Sequence, residues 1–228
     1  VKNYPVIFAA CSALLFLHSV HANTVADWTF ENYYLTNAVT GTDSPSLTPA
    51  IGAFGAAAWG HHASASSTFS DTTGNGSTHS LDADHWSIGD YFEFQTSTLG
   101  STNISVSFDQ FRSATGPTNW DFEYSTDGSF FTTALTYCTT NSPAWSVGVY
   151  HSACTFSINL SSVTALANDT SVYFRLVDDS APNGTSGASR VDNFIVSGNP
   201  IPVPEPSAAA LLGLAGLLGL PLLRHLRR

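Results

Sequence analysis

Two short runs of this 228-residue chain crowd together side chains that could do chemistry. HSLDADHW places His79, Asp82, Asp84 and His85 within seven residues, imidazoles and carboxylates of the kind that ligate a transition metal. The spacing matches no recognised metal pattern and His61-His62 is as dense, so a polar loop is the competing reading. In NWDFEYS, Asp121 and Glu123 alternate with aromatic residues and so share one face of a strand. A carboxylate pair for glycoside hydrolysis could be built there, and so could an ordinary solvated face. No G-x-S-x-G, HExxH or P-loop motif occurs. Trp59, Trp86 and Trp145 fall in loop-like stretches, where an indole either stacks on a sugar ring or caps the end of a core.

The two ends of the chain carry addressing signals. VKNYPVIFAACSALLFLHSVHA has a single Lys2, an apolar run from Val6 to Leu17 and a small Ala22, the pattern of a secretory signal peptide over residues 1–22. From Ser207 to Leu223 no charge occurs, and Arg224, Arg227 and Arg228 follow. Those 17 residues as a helix reach about 25 Å, enough for a short membrane span. The arginines predict that this end stays in the cytoplasm while the preceding domain lies outside.

Residues 23–199 form the working domain, long enough for a single core. Their only basic residues are Arg112, Arg175 and Arg190, against 16 acidic ones (the chain's 17 less Glu205), a formal charge of −13. A nucleic-acid partner is excluded, because phosphate binding needs Lys and Arg to displace counterions. Acidic surfaces instead supply solubility and oxygen ligands for Ca²⁺. With Cys11 lost in the leader, Cys138 and Cys154 remain, and a pair in an exported chain predicts a disulfide.

To position such groups the domain must use strands, since alternation dominates and helical periodicity is nearly absent. Trp120, Phe122 and Tyr124 oppose Asp121, Glu123 and Ser125, and Asp127-Gly128 supplies a tight turn into Phe130 and Phe131. The same period recurs in NISVSFDQF, CTFSINL and SVYFRLV, and DWTFE, DYFEFQ and SRVDNFIVS complete about eight strands. The fold class expected is all-β, an antiparallel β-sandwich or jelly roll, with a signal helix before it and a transmembrane helix (207–223) after it. The Ala, Gly and Ser-rich stretch from Ala50 to Ser80 reads as a long irregular connection, with at most a weak edge strand.

Pro204, Glu205 and Pro206, followed by the apolar span and the three arginines, resemble the PEP-CTERM sorting tail (200–228) of Gram-negative bacteria that make exopolysaccharide. The resemblance implies an exosortase as partner, transient anchoring in the inner membrane, and release or attachment at the cell surface. The middle domain resembles the jelly-roll, galactose-binding-like modules of secreted bacterial proteins, through W-x-F-x-Y-S-x-D-G at Trp120 to Gly128 and R-V-D-N-F-I-V at Arg190 to Val196. In such modules a structural Ca²⁺ often ties the first strand to the last, which nominates Glu31 and Asp192. Together these imply a non-enzymatic glycan-binding or structural module of the cell surface or exopolysaccharide matrix. An extracellular hydrolase on the same fold and a Ca²⁺-stabilised adhesin are the alternatives.

Overall fold

The period-two alternation resolves into strands in the computed structural model, which describes residues 22–180 and 186–202. In chain order these are β1 (Asn23–Trp28), β2 (Val39–Thr40), β3 (Ala57–His61), β4 (Thr68–Asp71), β5 (Leu81–Ala83), β6 (Tyr91–Thr96), β7 (Ser101–Arg112), β8 (Asn119–Ser125), β9 (Thr132–Cys138), β10 (Thr155–Asn159), β11 (Val172–Asp178) and β12 (Ser189–Pro200). The leader, apart from Ala22, and the sorting tail from residue 203 on, with Pro204, Glu205, Pro206, Arg224, Arg227 and Arg228, lie outside the described residues, while Pro200 closes β12. Among the described residues no helix is long and apolar enough to cross a membrane.

The strands form two antiparallel sheets in a jelly-roll sandwich. One runs β10-β7-β12-β5-β4-β2, with β1 pairing β12 beyond the end of β5; the other runs β3-β6-β11-β8-β9. Inward residues of both sheets meet in one aromatic core. Phe94 of β6 stacks on Phe194 of β12 at 3.6 Å, and Trp28 of β1 meets both rings edge-on. Phe108, Phe122 and Phe174 continue the layer. Burying aromatics of this size is the main favourable term holding the sheets together.

Two departures from simple alternation have physical causes. The stretch from Ala50 to Ser80 contains β3 and β4 rather than an irregular connection. Its small residues reflect close packing: a Cβ on Gly60 would lie 2.4 Å from the Phe69 ring of β4, and Ala56 and Ala58 are buried. In β12 the pairing with β7 shifts between Asp192 and Ile195, where Asn193 takes φ 49°. The bulge lets Val191 and Phe194 both point inward although they are three residues apart.

Candidate functional site

The outer face of the five-stranded sheet brings aromatic, charged and amide side chains of the described residues together. Register sets its layout. One cross-strand row runs Trp59 (β3), Glu93 (β6), Arg175 (β11), Glu123 (β8) and Thr133 (β9). Beside it run His61, Tyr91, Val177, Asp121 and Thr136 on one side, and Ala57, Gln95 and Tyr173 on the other. Because the facing residues of each strand fill the core, these side chains are forced outward.

Arg175 organises the face. Its Nε donates to Glu93 Oε2 and its guanidinium to the Tyr91 hydroxyl. The guanidinium carbon lies 3.9 Å from the Tyr91 ring centroid and 3.6 Å from that of Phe131, in the turn before β9. Cation–π contact of this kind fixes the rings and the cation in one arrangement. Burial pushes the Glu93 carboxyl up from its usual range, while its bonds to Arg175 pull it back. Glu123 is likewise raised by burial, with Arg175 opposing, and accepts from the Thr133 hydroxyl. Asp121 accepts from Thr136. Gln95 donates to the hydroxyls of Ser171 and Tyr173. The Asp127-Gly128 turn is tied down by the buried Ser125 hydroxyl, and Gly128, at φ 70°, brings its backbone close against the Tyr173 ring.

Several expected residues lie elsewhere. Trp59 belongs to the face, but Trp86 and Trp145 are buried and present no ring to a ligand. Trp86 donates its indole N–H to Ala83 and packs edge-on to Phe92 and Trp120 in the core. Trp145 covers Phe111 in a small second cluster with Cys154. The expected disulfide is absent: Cys138 is an exposed thiol at the end of edge strand β9, whereas Cys154 is buried against the other sheet. The residues of HSLDADHW do not converge on one point, since β5 runs through them. His79 pairs with Asp71, His85 with Asp84, and Asp82 faces Arg190 across 3.6 Å.

Glu31 and Asp192 both reach the loop between β4 and β5, but toward donors. Glu31 Oε1 accepts the N–H groups of Thr78 and His79; Asp192 accepts from the Asn75 N–H, the Ser77 hydroxyl and both N–H groups of Asn193. A Ca²⁺ site needs a shell of oxygen acceptors, so this donor set does not fit an ion shared by the two. Among the described residues no group of three or more His, Cys, Asp or Glu is placed to hold a metal. Protein hydrogen bonds hold both carboxylates against this loop.

A concavity of about 740 Å³ lies on the outer face of the other sheet, lined by Ser105, Ser107, Ser157, Asn159, Ser197 and Asn199 among others. It has hydroxyls and amides but no aromatic surface. The residues that the sequence reading passed over as site candidates are Tyr91, Glu93, Gln95, Phe131, Tyr173 and Arg175. Their signal was present as the outward positions of DYFEFQ and SVYFRLV, which carry aromatic, charged and amide side chains at alternate places.

No protein-family model and no curated protein matches the chain. Solved structures of similar course include TmCBM61 in complex with β-1,4-galactotriose (9% identity, TM-score 0.40, covering 63% of this chain and 88% of that one). Another is the CBM22-1 xylan-binding domain of Paenibacillus barcinonensis Xyn10C (8% identity, TM-score 0.40, covering 81% and 100%). A third is the K1 cleaved adhesin domain of Lys-gingipain from Porphyromonas gingivalis W83 (13% identity, TM-score 0.41, covering 80% and 99%). Identities and TM-scores this low carry no argument about function, which has to be read from the face itself.

Proposed function

We propose that the protein is an exported carbohydrate-binding module that holds a polysaccharide chain across the outer face of its five-stranded sheet. The observation that carries this is the Trp59–Glu93–Arg175–Glu123–Thr133 row, with the half-buried rings of Tyr91, Phe131 and Tyr173 around it. Aromatic faces suit the apolar faces of pyranose rings, and the carboxylates, amide and guanidinium suit their hydroxyls. Five strands at a spacing of about 4.8 Å make the row about 19 Å long, the reach of a short oligosaccharide rather than a single ring. A glycosidase would need two carboxyl groups facing each other across the scissile bond. Glu93 and Glu123 instead flank Arg175 in one cross-strand row on the same face, which favours binding without cleavage. Export and sorting by an exosortase rest on the leader and the PEP-CTERM-like tail; β12 ends at Pro200, four residues before the motif, so the tail would leave the sandwich close to its processing point.

Affinity electrophoresis through gels carrying neutral soluble polysaccharides tests the reading. The wild-type protein should be retarded, and Trp59→Ala or Phe131→Ala should weaken binding about tenfold, the effect of losing ~1.4 kcal/mol of contact. Ser105→Ala with Ser197→Ala, on the opposite sheet, should change nothing. Retardation that survives both aromatic substitutions would refute the assignment.

A further inference from the structure

The outer face of the five-stranded sheet does not end at β3. The free edge of β3 is followed by the segment from Asp43 to Thr48, which bridges it at two points, Asp43 to His61 and Leu47 to Ala58. Reciprocal backbone bonds of 2.8 Å join Leu47 and Ala58. Both of these residues point into the core. Their exposed neighbours Ser46 and Thr48 therefore turn to the same side as Trp59 and Ala57.

Ser46 and Thr48 form one wall of a pocket of about 300 Å³, with Leu47 contributing and Asn32, Tyr33, Tyr34 and Thr36 lining the rest. Both tyrosines are exposed, Tyr33 to 51% and Tyr34 to 36%. The walls are held from behind. The Trp28 indole N–H bonds to the Leu47 carbonyl, fixing one side. Tyr34 stacks on His79 at 3.7 Å, Glu31 grips the backbone of Thr78 and His79, and Phe30 is buried. An exposed aromatic pair in a braced concavity with an amide and three hydroxyls has the makings of a sugar subsite.

We propose that this pocket is a further subsite of the glycan path, accepting one ring of the same neutral chain where it runs off the sheet beyond Trp59. The inference rests on the reading of the five-stranded face as the glycan site. It has a consequence which that reading alone lacks: affinity must keep rising with chain length after the sheet row is filled. Tyr33 then acts only on chains long enough to reach it. The ring it holds contributes by stacking and by hydrogen bonds to Asn32, Thr36, Ser46 or Thr48.

Isothermal titration with neutral β-1,4-linked xylo- and cello-oligosaccharides of increasing length, from dimer to hexamer, tests this on the whole protein. In the series that binds, Tyr33→Ala should weaken the hexamer about tenfold and leave the trimer within about twofold. Trp59→Ala should weaken both, and Tyr33→Phe, which keeps the ring, should retain most of the hexamer affinity. Equal losses for trimer and hexamer in Tyr33→Ala, or no loss for either, would overturn the subsite while leaving the sheet face standing, provided Trp59→Ala still weakens binding. Binding indifferent to Trp59, or no binding by any oligosaccharide, would overturn the sheet face and the subsite with it. Tyr33 is exposed, and an unchanged melting temperature of the variant verifies that the fold is intact.

Discussion

At the scale of single residues, most of what decides this protein's behaviour is where a side chain points. Arg175 matters because its two neighbours in space are rings and its two neighbours across the sheet are carboxylates. The cysteines illustrate the converse. A pair of cysteines in an exported chain suggests a bridge, yet Cys138 sits exposed on an edge strand and gives its thiol proton to Asn119, while Cys154 lies under Trp145 and Phe111. With no bridge in the fold, reductant should leave the melting temperature unchanged. A thiol reagent should label Cys138 in the native protein and Cys154 only after unfolding. A fall in melting temperature on reduction, or two unreactive sulfurs in denaturant without reductant, would contradict this.

Strands and loops set the next level. The loop between β4 and β5 is anchored by Asp192, which burial pushes up to about 7, and the adjacent β5 carries Asp82, likewise raised by burial to about 7. A carboxyl whose folded pKa is raised binds its proton more tightly when folded. Its stabilising contribution is therefore complete below the ordinary carboxylate range and is lost as pH rises through about 7. Buried His62 is lowered to about 4 by desolvation, so its contribution is present above the ordinary imidazole range and is lost as pH falls toward that value. From pH ~8 to ~6 the carboxyls dominate. The melting temperature should rise as the solution is acidified over that window, and Asp82→Asn should reduce the slope. A flat or falling profile would show that these carboxyls stay ionised in the fold.

The same elements show what the sequence made legible. Strands with large residues at alternate positions, such as β8 and β11, and the Asp127-Gly128 turn were readable because burial on one face enforces the period. β3 was obscured because its inward positions are Ala58 and Gly60, chosen for clearance against Phe69 rather than for bulk. The site was half legible. Trp59, Asp121 and Glu123 could be nominated from residue type, but Trp86 and Trp145 have the same type and lie inside. Which strands adjoin decides the rest, and the Trp59–Glu93–Arg175–Glu123 row joins residues from four strands far apart in the chain.

For the molecule as a whole, the two sheets carry different outer faces. One presents an aromatic, charged face; the other presents hydroxyls and amides around the 740 Å³ concavity without any ring to stack on a sugar. The three arginines of the domain are all engaged: Arg112 with backbone carbonyls, Arg175 with Glu93, and Arg190 with Asp82 and Thr73. A domain of formal charge −13 thus offers little to an acidic polysaccharide and suits a neutral one. The most direct measurement is a map of backbone-amide NMR shifts on adding the oligosaccharide that binds best. The account predicts perturbations concentrated on β3, β6, β11, β8 and the Phe130-Phe131 turn, extending to Tyr33 and Ser46 for the longest chains. Perturbations centred instead on Ser105, Ser157 and Ser197, or none with any glycan, would contradict it.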